Sequence, residues 1–276
     1  MIRIQTVNFI PLVCLSLVLM VLSLAVCPQL FSFSNGSYEN SERTDKTGAS
    51  DPVIRYAGNH AFLTVSKISD HTFSVTLSPL ESLHSSEPDL PKSEFVADYE
   101  KEQIWRSRTI MDPKRGSVGD YSIALLRSPL RVIFRHEDKE IPQELRWPDT
   151  DDGRLEIRVE EKIYGLMRSD QNGNGVLKTI SNEADSHESR YSPQEGDPLI
   201  LHSEGGWTLF IAHPASSSNS FKLDGNNGTF LPDSERLTSP VQIYITFWDN
   251  PNELKEEYSL FATPALIQLL QTSGIY

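Results

Sequence analysis

A short loop rich in acid and amide side chains, Asp170-Gln171-Asn172-Gly173-Asn174-Gly175, has the clearest potential for chemistry. Oxygen ligands at the first, third and fifth positions and glycine at the sixth are what a calcium-binding loop needs at its start. The bidentate acid that should close such a loop is missing, because Ser181 stands at its position. We therefore predict a turn between strands, with Asp170, Asn172 and Asn174 only as a weak calcium-loop look-alike and no metal site.

Histidine and tryptophan side chains are the next candidates. The histidines are scattered without a two-histidine spacing beside an acid, and His213, at the end of an apolar run, is more typical of a structural histidine. Trp105, Trp147, Trp207 and Trp248 could stack on sugar rings, although packing in a core is the commoner role. No nucleophile elbow, phosphate loop or dinucleotide fingerprint occurs, so the residues predict no catalytic group and no cofactor.

Composition limits the classes of partner. The chain has 276 residues, 38% of them hydrophobic, which suits one substantial domain. A net charge of -13 argues against nucleic acid and anionic membrane surfaces and is compatible with neutral partners such as sugars. Both cysteines, Cys14 and Cys27, lie in the N-terminal apolar segment, so a cysteine-ligated zinc site or a cysteine nucleophile elsewhere is excluded.

The N-terminal segment predicts export. Phe9 to Cys27 is almost uninterruptedly apolar, and Ser23-Leu24-Ala25 has small residues suited to signal-peptidase cleavage. We predict that residues 1–27 form a cleaved signal peptide, with an uncleaved signal anchor as the alternative and a lipoprotein signal ending at Cys27 as a weaker one. The expected location is secreted or membrane-anchored and extracytoplasmic, with membrane contact only through this segment. The polar residues 28–52 predict a disordered spacer.

Short runs of alternating apolar and polar residues predict strands through most of the remaining chain. The runs are Val53–Tyr56, Ala61–Val65, Phe73–Leu77, Ile104–Ile110, Tyr121–Leu126, Leu130–Arg135, Leu155–Val159, Phe221–Leu223 and Val241–Phe247. Glu81–Lys92 predicts a loop, and Asp112–Gly116 and Asp149–Gly153 predict turns.

The stretch from Tyr191 to Pro214 predicts a loop followed by a hairpin, in which Glu204-Gly205-Gly206 joins two apolar runs. Only the tail after Pro251 has a helix signal, with Asn250 as its cap. Together these patterns predict an all-β antiparallel sandwich over residues 53–248, with a short C-terminal helix within 249–276.

Several of these pieces resemble, in order, the N-terminal domain of glycoside hydrolase family 31, the α-glucosidases and α-xylosidases. The matching segments are Leu126–Phe134, with its Ser-Pro-Leu-Arg-Val core; Tyr164-Gly165-Leu166, where Met167-Arg168 replace the family's Gly-Glu; Ile180–Ala184; Asp197–Ser203 with Gly206–Phe210; Pro251–Tyr258; and Thr263–Leu266. The resemblance covers roughly residues 53–266. It implies a galactose mutarotase-like β-sandwich.

The resemblance also implies which residues would matter. In that family the two catalytic Asp residues lie on a (β/α)₈ barrel, and this sequence lacks their motif and the length for a barrel after the sandwich. Glu183 stands where the family has an Asp that contacts sugar hydroxyls, and Asp185 is the nearby alternative. These two residues are the substrate-binding candidates, and an exposed loop acid is the structural alternative for Glu183.

The resulting functional hypothesis is a family 31-like N-terminal domain, associated with carbohydrate metabolism and carbohydrate binding, without its catalytic barrel and not hydrolytic alone. Its expected partner is an α-glucoside-type carbohydrate or a separate catalytic barrel. The alternatives are a stand-alone carbohydrate-binding or protein-interaction module and, less favoured, a mutarotase-like epimerase. Without a barrel, the apolar tail from Phe261 to Ile275 is expected to be exposed and to promote association.

Overall fold

The computed structural model describes residues 52–275 except 83, 87–89, 91–92, 139–142, 169–173, 181–188, 194–196 and 213–218. The predicted signal segment and almost all of the spacer lie outside these residues. The strands in the described part are β1 Arg55–Tyr56, β2 Asn59–Lys67, β3 Thr72–Leu80, β4 Glu102–Ser107, β5 Lys114–Val118, β6 Tyr121–Leu126, β7 Leu130–His136, β8 Gln143–Trp147, β9 Leu155–Arg158, β10 Ile163–Arg168, β11 Gly175–Ile180, β12 Ser189–Tyr191, β13 Leu199–Ser203, β14 Trp207–Ile211, β15 Ser220–Asp224, β16 Asn227–Leu231 and β17 Val241–Phe247. Two helices follow, α1 Pro251–Ser259 and α2 Pro264–Thr272.

The strands form two antiparallel sheets. Sheet I has the order β1-β2-β3-β17-β14-β13-β10-β11, with β4 also paired to β2. Sheet II has the order β12-β15-β16-β9-β8-β7-β6-β5. Side chains from both sheets meet in one inner core, so the predicted all-β sandwich is confirmed.

Strand β17 shows how the sequence pattern produces this core. Val241, Ile243 and Ile245 alternate along it, and each is buried between the two sheets. Burial of such a side chain stabilises the fold by about 1.5–3 kcal/mol. Tyr244, between two of them, faces the other side of sheet I and is also buried, so β17 is covered on both faces.

The two helices cover the outer face of sheet I. Ile200, Phe210 and Tyr244 from the sheet pack there with Leu254 of α1 and Leu270 of α2. The expectation of an exposed C-terminal tail is therefore wrong. The tail is apolar because it supplies the cover that the outer face of sheet I needs.

Capping explains where α1 begins. The Asn250 side chain accepts hydrogen bonds from the backbone N–H groups of Asn252 and Glu253, at 3.0 and 3.2 Å, and Pro251 occupies the first turn. One helix was predicted in this region, but a second begins at Pro264. No helix in the described part of the chain is long and apolar enough to span a membrane.

One predicted turn is wrong. Lys114, Arg115 and Gly116 belong to β5, which pairs with β6 at the edge of sheet II. An edge strand with one exposed face needs no apolar run, and its half-buried residues gave no strand signal. The turn between β8 and β9 and the β13–β14 hairpin lie where they were predicted.

Candidate functional site

Five strands of sheet I begin or end side by side, at the same end of the sheet. The pairing register places Ile180, Ile163, Ser203, Trp207 and Phe247 in a single transverse row. The side chains of Ile163 and Ile180 enter the inner core. The predicted hairpin turn therefore lies beside the start of β10 and the end of β17, with Trp248 immediately after this row.

The next row carries polar and aromatic side chains on the outer face of the sheet. Residues directly opposite in antiparallel strands share a face, so the register aligns them. In order across the sheet they are Thr179, Tyr164, His202, Thr208, Thr246 and Thr72. We call Tyr164, His202, Glu204, Thr208 and Trp248 the Trp248 edge.

The centre of the Trp248 edge is a stacked pair of rings. His202 and Trp248 lie with centroids 5.0 Å apart and planes 5° from parallel. The Trp248 indole N–H donates to Thr208 Oγ1 at 3.1 Å, and His202 Nδ1 lies 3.1 Å from the same oxygen. The Trp248 indole, the Thr208 hydroxyl and His202 Nδ1 all have a partner when the Thr208 hydroxyl donates to Nδ1. Nδ1 is then an acceptor, so a neutral imidazole carries its hydrogen on Nε2.

Burial keeps this imidazole neutral. It lowers the pKa of His202 from 6.5 to about 4, and the nearby charge of Glu204 only partly opposes the shift. At neutral pH, His202 therefore offers hydrogen-bonding groups without a charge.

A second set of polar groups borders the stacked rings. The Tyr164 hydroxyl donates to Glu204 Oε1 at 2.5 Å, and Lys162 Nζ lies 5.0 Å from the centre of the Tyr164 ring. The side-chain hydrogen bond with Tyr164 raises the pKa of the exposed Lys162. Backbone bonds fix these elements: Glu204 N–H donates to the Lys162 carbonyl at 3.0 Å, and Trp248 N–H donates to the Gly206 carbonyl at 2.9 Å.

Gly206 is required in this turn by its conformation. Its φ is 80°, in the left-handed region that glycine adopts without strain. The β13–β14 turn can therefore bring its carbonyl to Trp248.

The buried end of the polar row is closed by a carboxylate from α1. Glu257, which is 9% exposed, accepts a hydrogen bond from Thr72 Oγ1 at 2.6 Å and another from Ser69 Oγ. Thr72 Oγ1 lies 3.1 Å from Thr246 Oγ1. Hydrogen bonding makes this buried charge tolerable and ties α1 to the sheet.

A tyrosine between two histidines lies at the same end of the sandwich. Tyr121 contacts the rings of His71 and His136, with centroids at 6.1 and 4.8 Å. Burial, with smaller contributions from the charges of Asp249 and Glu257, raises the pKa of the Tyr121 hydroxyl. Tyr121 is 3% exposed, so it belongs to the core beneath the edge.

The residues singled out from sequence have different outcomes. Glu183, Asp185, Asp170, Asn172 and His213 lie outside the described residues, although β11 ends at Ile180 beside the Trp248 edge. Asn174 directly precedes β11, and the described residues contain no cluster of three metal-ligating His, Cys, Asp or Glu side chains.

Among the tryptophans, Trp147 and Trp207 are buried at 3% and 4% exposure, as core packing predicts. Trp105 packs half-buried against the inner core. Trp248 is half-buried at the sheet edge. The sequence did not predict that His202, Tyr164 and Glu204 lie together. They become neighbours through the pairing of β10 with the hairpin, so a prediction of that pairing would have identified the group.

Two residues within the resembling motifs have structural roles: Arg168, which differs from the family motif, and Gly165, which matches it. Arg168, which stands where the family has Glu, lies 3.1 Å through Nε from Asp197 Oδ1. Burial raises the pKa of Asp197, and the Arg168 charge opposes that shift. A Cβ added to Gly165 would lie 2.8 Å from the Tyr191 ring, whose hydroxyl donates to the Leu166 carbonyl.

Fold and site together define an antiparallel two-sheet sandwich with a polar, aromatic edge. No protein-family model matches the sequence, and no curated protein matches it. Among solved structures, the glycoside hydrolase family 31 dextranase FjDex31A of Flavobacterium johnsoniae, complexed with glucose, is similar, with a TM-score of 0.51 and 10% sequence identity. The match covers 78% of this chain and 28% of the dextranase chain. This similarity concerns the fold, and it is consistent with the family 31 N-terminal β-sandwich suggested by the motifs.

Proposed function

We propose that this chain is a carbohydrate-associated module of the kind that forms the N-terminal domain of family 31 proteins, and that its Trp248 edge binds a neutral saccharide. The observation that carries the proposal is the grouping of Tyr164, His202, Glu204 and Trp248 at one sheet edge. The aromatic rings of this edge supply apolar surface. The Glu204 carboxylate, the neutral His202 imidazole and the neighbouring Lys162 amine supply hydrogen bonds to sugar hydroxyls. The fold shared with part of a glucose-complexed dextranase supports a glucose-type ligand.

The proposal includes the candidates from sequence. Glu183 and Asp185 follow β11, whose end lies beside Tyr164, so they are proposed as additional contacts to the same saccharide. The proposal also includes an extracytoplasmic location, for which residues 1–27 would be the export signal. Hydrolysis is not part of the proposed role of this sandwich.

Binding can be tested by isothermal titration of the purified chain with glucose and methyl α-glucoside. A single sugar bound at about 1 mM corresponds to roughly -4 kcal/mol. Removal of one hydrogen bond to a charged group costs about 1.5–3 kcal/mol, so E204Q should weaken binding about tenfold or more. E256Q, the same substitution on the exposed face of α1, should bind as the parent does.

Two results would contradict the saccharide site. One is the absence of saturable binding to any neutral sugar at millimolar concentration. The other is binding that E204Q and W248F leave unchanged, which would move the ligand elsewhere. A protein captured through this edge instead of a sugar would favour the interaction-module alternative.

A mutarotase is the second candidate, because the Glu204 charge acts on the His202 imidazole and the two groups lie at one edge. Mutarotation needs an acid and a base beside the anomeric carbon. The rate at which α-glucose equilibrates, followed by polarimetry, tests it. An unaltered rate with excess chain would exclude this activity, whereas acceleration lost in H202Q would support it.

A further inference from the structure

Thr208 connects the two stacked rings of the Trp248 edge, although it is itself enclosed in the protein. The residue is 0% exposed, so it does not reach a ligand at the surface. Its Oγ1 lies 3.1 Å from Trp248 Nε1 and 3.1 Å from His202 Nδ1. One buried hydroxyl therefore holds both rings.

The hydrogen of this hydroxyl has one acceptor among the described residues. Trp248 Nε1 can only donate, so Thr208 Oγ1 accepts that bond and its own hydrogen goes to another atom. Thr246, directly opposite Thr208 on β17, shares its hydroxyl bond with Thr72 at 3.1 Å. His202 Nδ1 is the acceptor that remains.

The reverse arrangement leaves a buried donor without a partner. If His202 Nδ1 carried the hydrogen, Thr208 Oγ1 would accept two bonds, and its own hydrogen would be unpaired in an enclosed position. A buried hydrogen bond that is not made is costly, so the arrangement with a bare Nδ1 is favoured. Burial lowers the pKa of His202 to about 4, and the neutral ring then carries its hydrogen on Nε2.

His202 Nε2 is open to a ligand. Among the described residues it has no hydrogen-bond partner, and it does not belong to the buried polar atoms that lack one. The residue is half-buried, whereas Glu204, two positions further along, is exposed. The edge therefore presents one fixed N–H donor and one carboxylate acceptor.

We propose that Thr208 is a positioning residue of the saccharide site, which holds the His202 ring so that Nε2–H donates to an acceptor oxygen of the bound sugar. His202 then supplies a donor and Glu204 an acceptor, and a sugar hydroxyl can pair with either. The contact with sugar rests on the proposed saccharide function, whereas the place of the hydrogen on the ring does not.

The place of the hydrogen is tested by ¹⁵N NMR of the histidine rings in the purified chain without sugar. The protonated and the bare nitrogen of a neutral imidazole resonate far apart, and the signals lost in H202Q are those of His202. At neutral pH we expect a protonated Nε2 and a bare Nδ1. T208V should shift the Nδ1 resonance, because the group that donates to Nδ1 is removed.

Sugar affinity tests the positioning. T208V keeps nearly the shape of the side chain without its hydroxyl, so both rings lose their shared partner, and methyl α-glucoside should bind about tenfold more weakly. T208S keeps a hydroxyl and should bind within about threefold of the parent. T246V is the matched control, because Thr246 is equally buried one strand away and bonds Thr72. Its affinity should equal that of the parent.

A hydrogen on Nδ1 in the parent, or an unchanged Nδ1 resonance in T208V, would overturn the proposal. A T208S affinity as low as that of T208V would do the same, because the hydroxyl would then not be the active group. Sugar binding that E204Q weakens and T208V does not would refute the role of Thr208 and leave the saccharide function standing.

Absence of sugar binding in the parent would instead contradict the saccharide function, and the spectra alone would then support or overturn the role of Thr208. Melting temperatures of each variant check that the fold is retained. Should T208V fail to fold, the parent spectrum still decides, since a protonated Nδ1 is incompatible with a Thr208 donor.

Discussion

Replacement of Phe261 by alanine tests whether the C-terminal helices belong to the folded core. The Phe261 side chain is 0% exposed and lies between α1 and α2. Its ring stacks on Tyr244 with centroids 4.8 Å apart and planes 3° from parallel, and it contacts Tyr258 at 5.0 Å. A buried Phe→Ala substitution removes transfer energy and leaves a cavity, at a cost of about 3–5 kcal/mol.

That loss is large beside the total stability of a domain, about 5–15 kcal/mol. Urea unfolding followed by tryptophan fluorescence should therefore show a much lower midpoint for F261A. The neighbouring L260A is a matched control, because Leu260 is 50% exposed. Its free energy of unfolding should change by less than about 0.5 kcal/mol.

Equal, small effects of F261A and L260A would refute the docked arrangement and restore the exposed tail expected from sequence. Removal of residues 249–276 extends the same reasoning. If the helices cover sheet I, the truncated chain should expose Ile200, Phe210 and Tyr244 and elute as larger species in size-exclusion chromatography. A truncated chain that remains monodisperse would count against the helices as a cover.

The remaining predictions concern single buried groups. Burial lowers the folded-state pKa of His202 from 6.5 to about 4, so the unfolded chain binds this proton at a higher pH than the folded chain does. The free energy of unfolding should therefore fall as the pH decreases from about 6.5 to about 4. In urea titrations, H202Q should show a weaker dependence of this free energy on pH. Gly165→Ala, with a Cβ 2.8 Å from the Tyr191 ring, should lower the free energy of unfolding by about 1–3 kcal/mol. E257Q should lower the melting temperature, because it weakens charge-assisted hydrogen bonds in a buried network, whereas E256Q on the exposed face should not.

Each of these has a clear contrary result. Identical pH slopes in the parent and H202Q would mean that the imidazole is solvated. A neutral effect of Gly165→Ala would mean that Tyr191 moves freely away from β10. Equal melting temperatures for E257Q and E256Q would mean that the Thr72 contact contributes nothing.

The sandwich was predictable where a strand has one buried and one exposed face. Strand β9 alternates buried and less buried residues, and its run was identified from the sequence. Strand β5 was missed because its half-buried residues are charged or small. The cover by α2 was missed because an apolar tail gives the same pattern whether it is exposed or docked on a second apolar face.

The Trp248 edge could not be assembled from sequence, for a related reason. Tyr164 and His202 are 38 positions apart by their numbers, and only the register between β10 and β13 makes them neighbours. Thr208, which bonds both His202 and Trp248, is an ordinary strand residue in the sequence. The hairpin itself was predicted, and its turn supplies Glu204 to this edge.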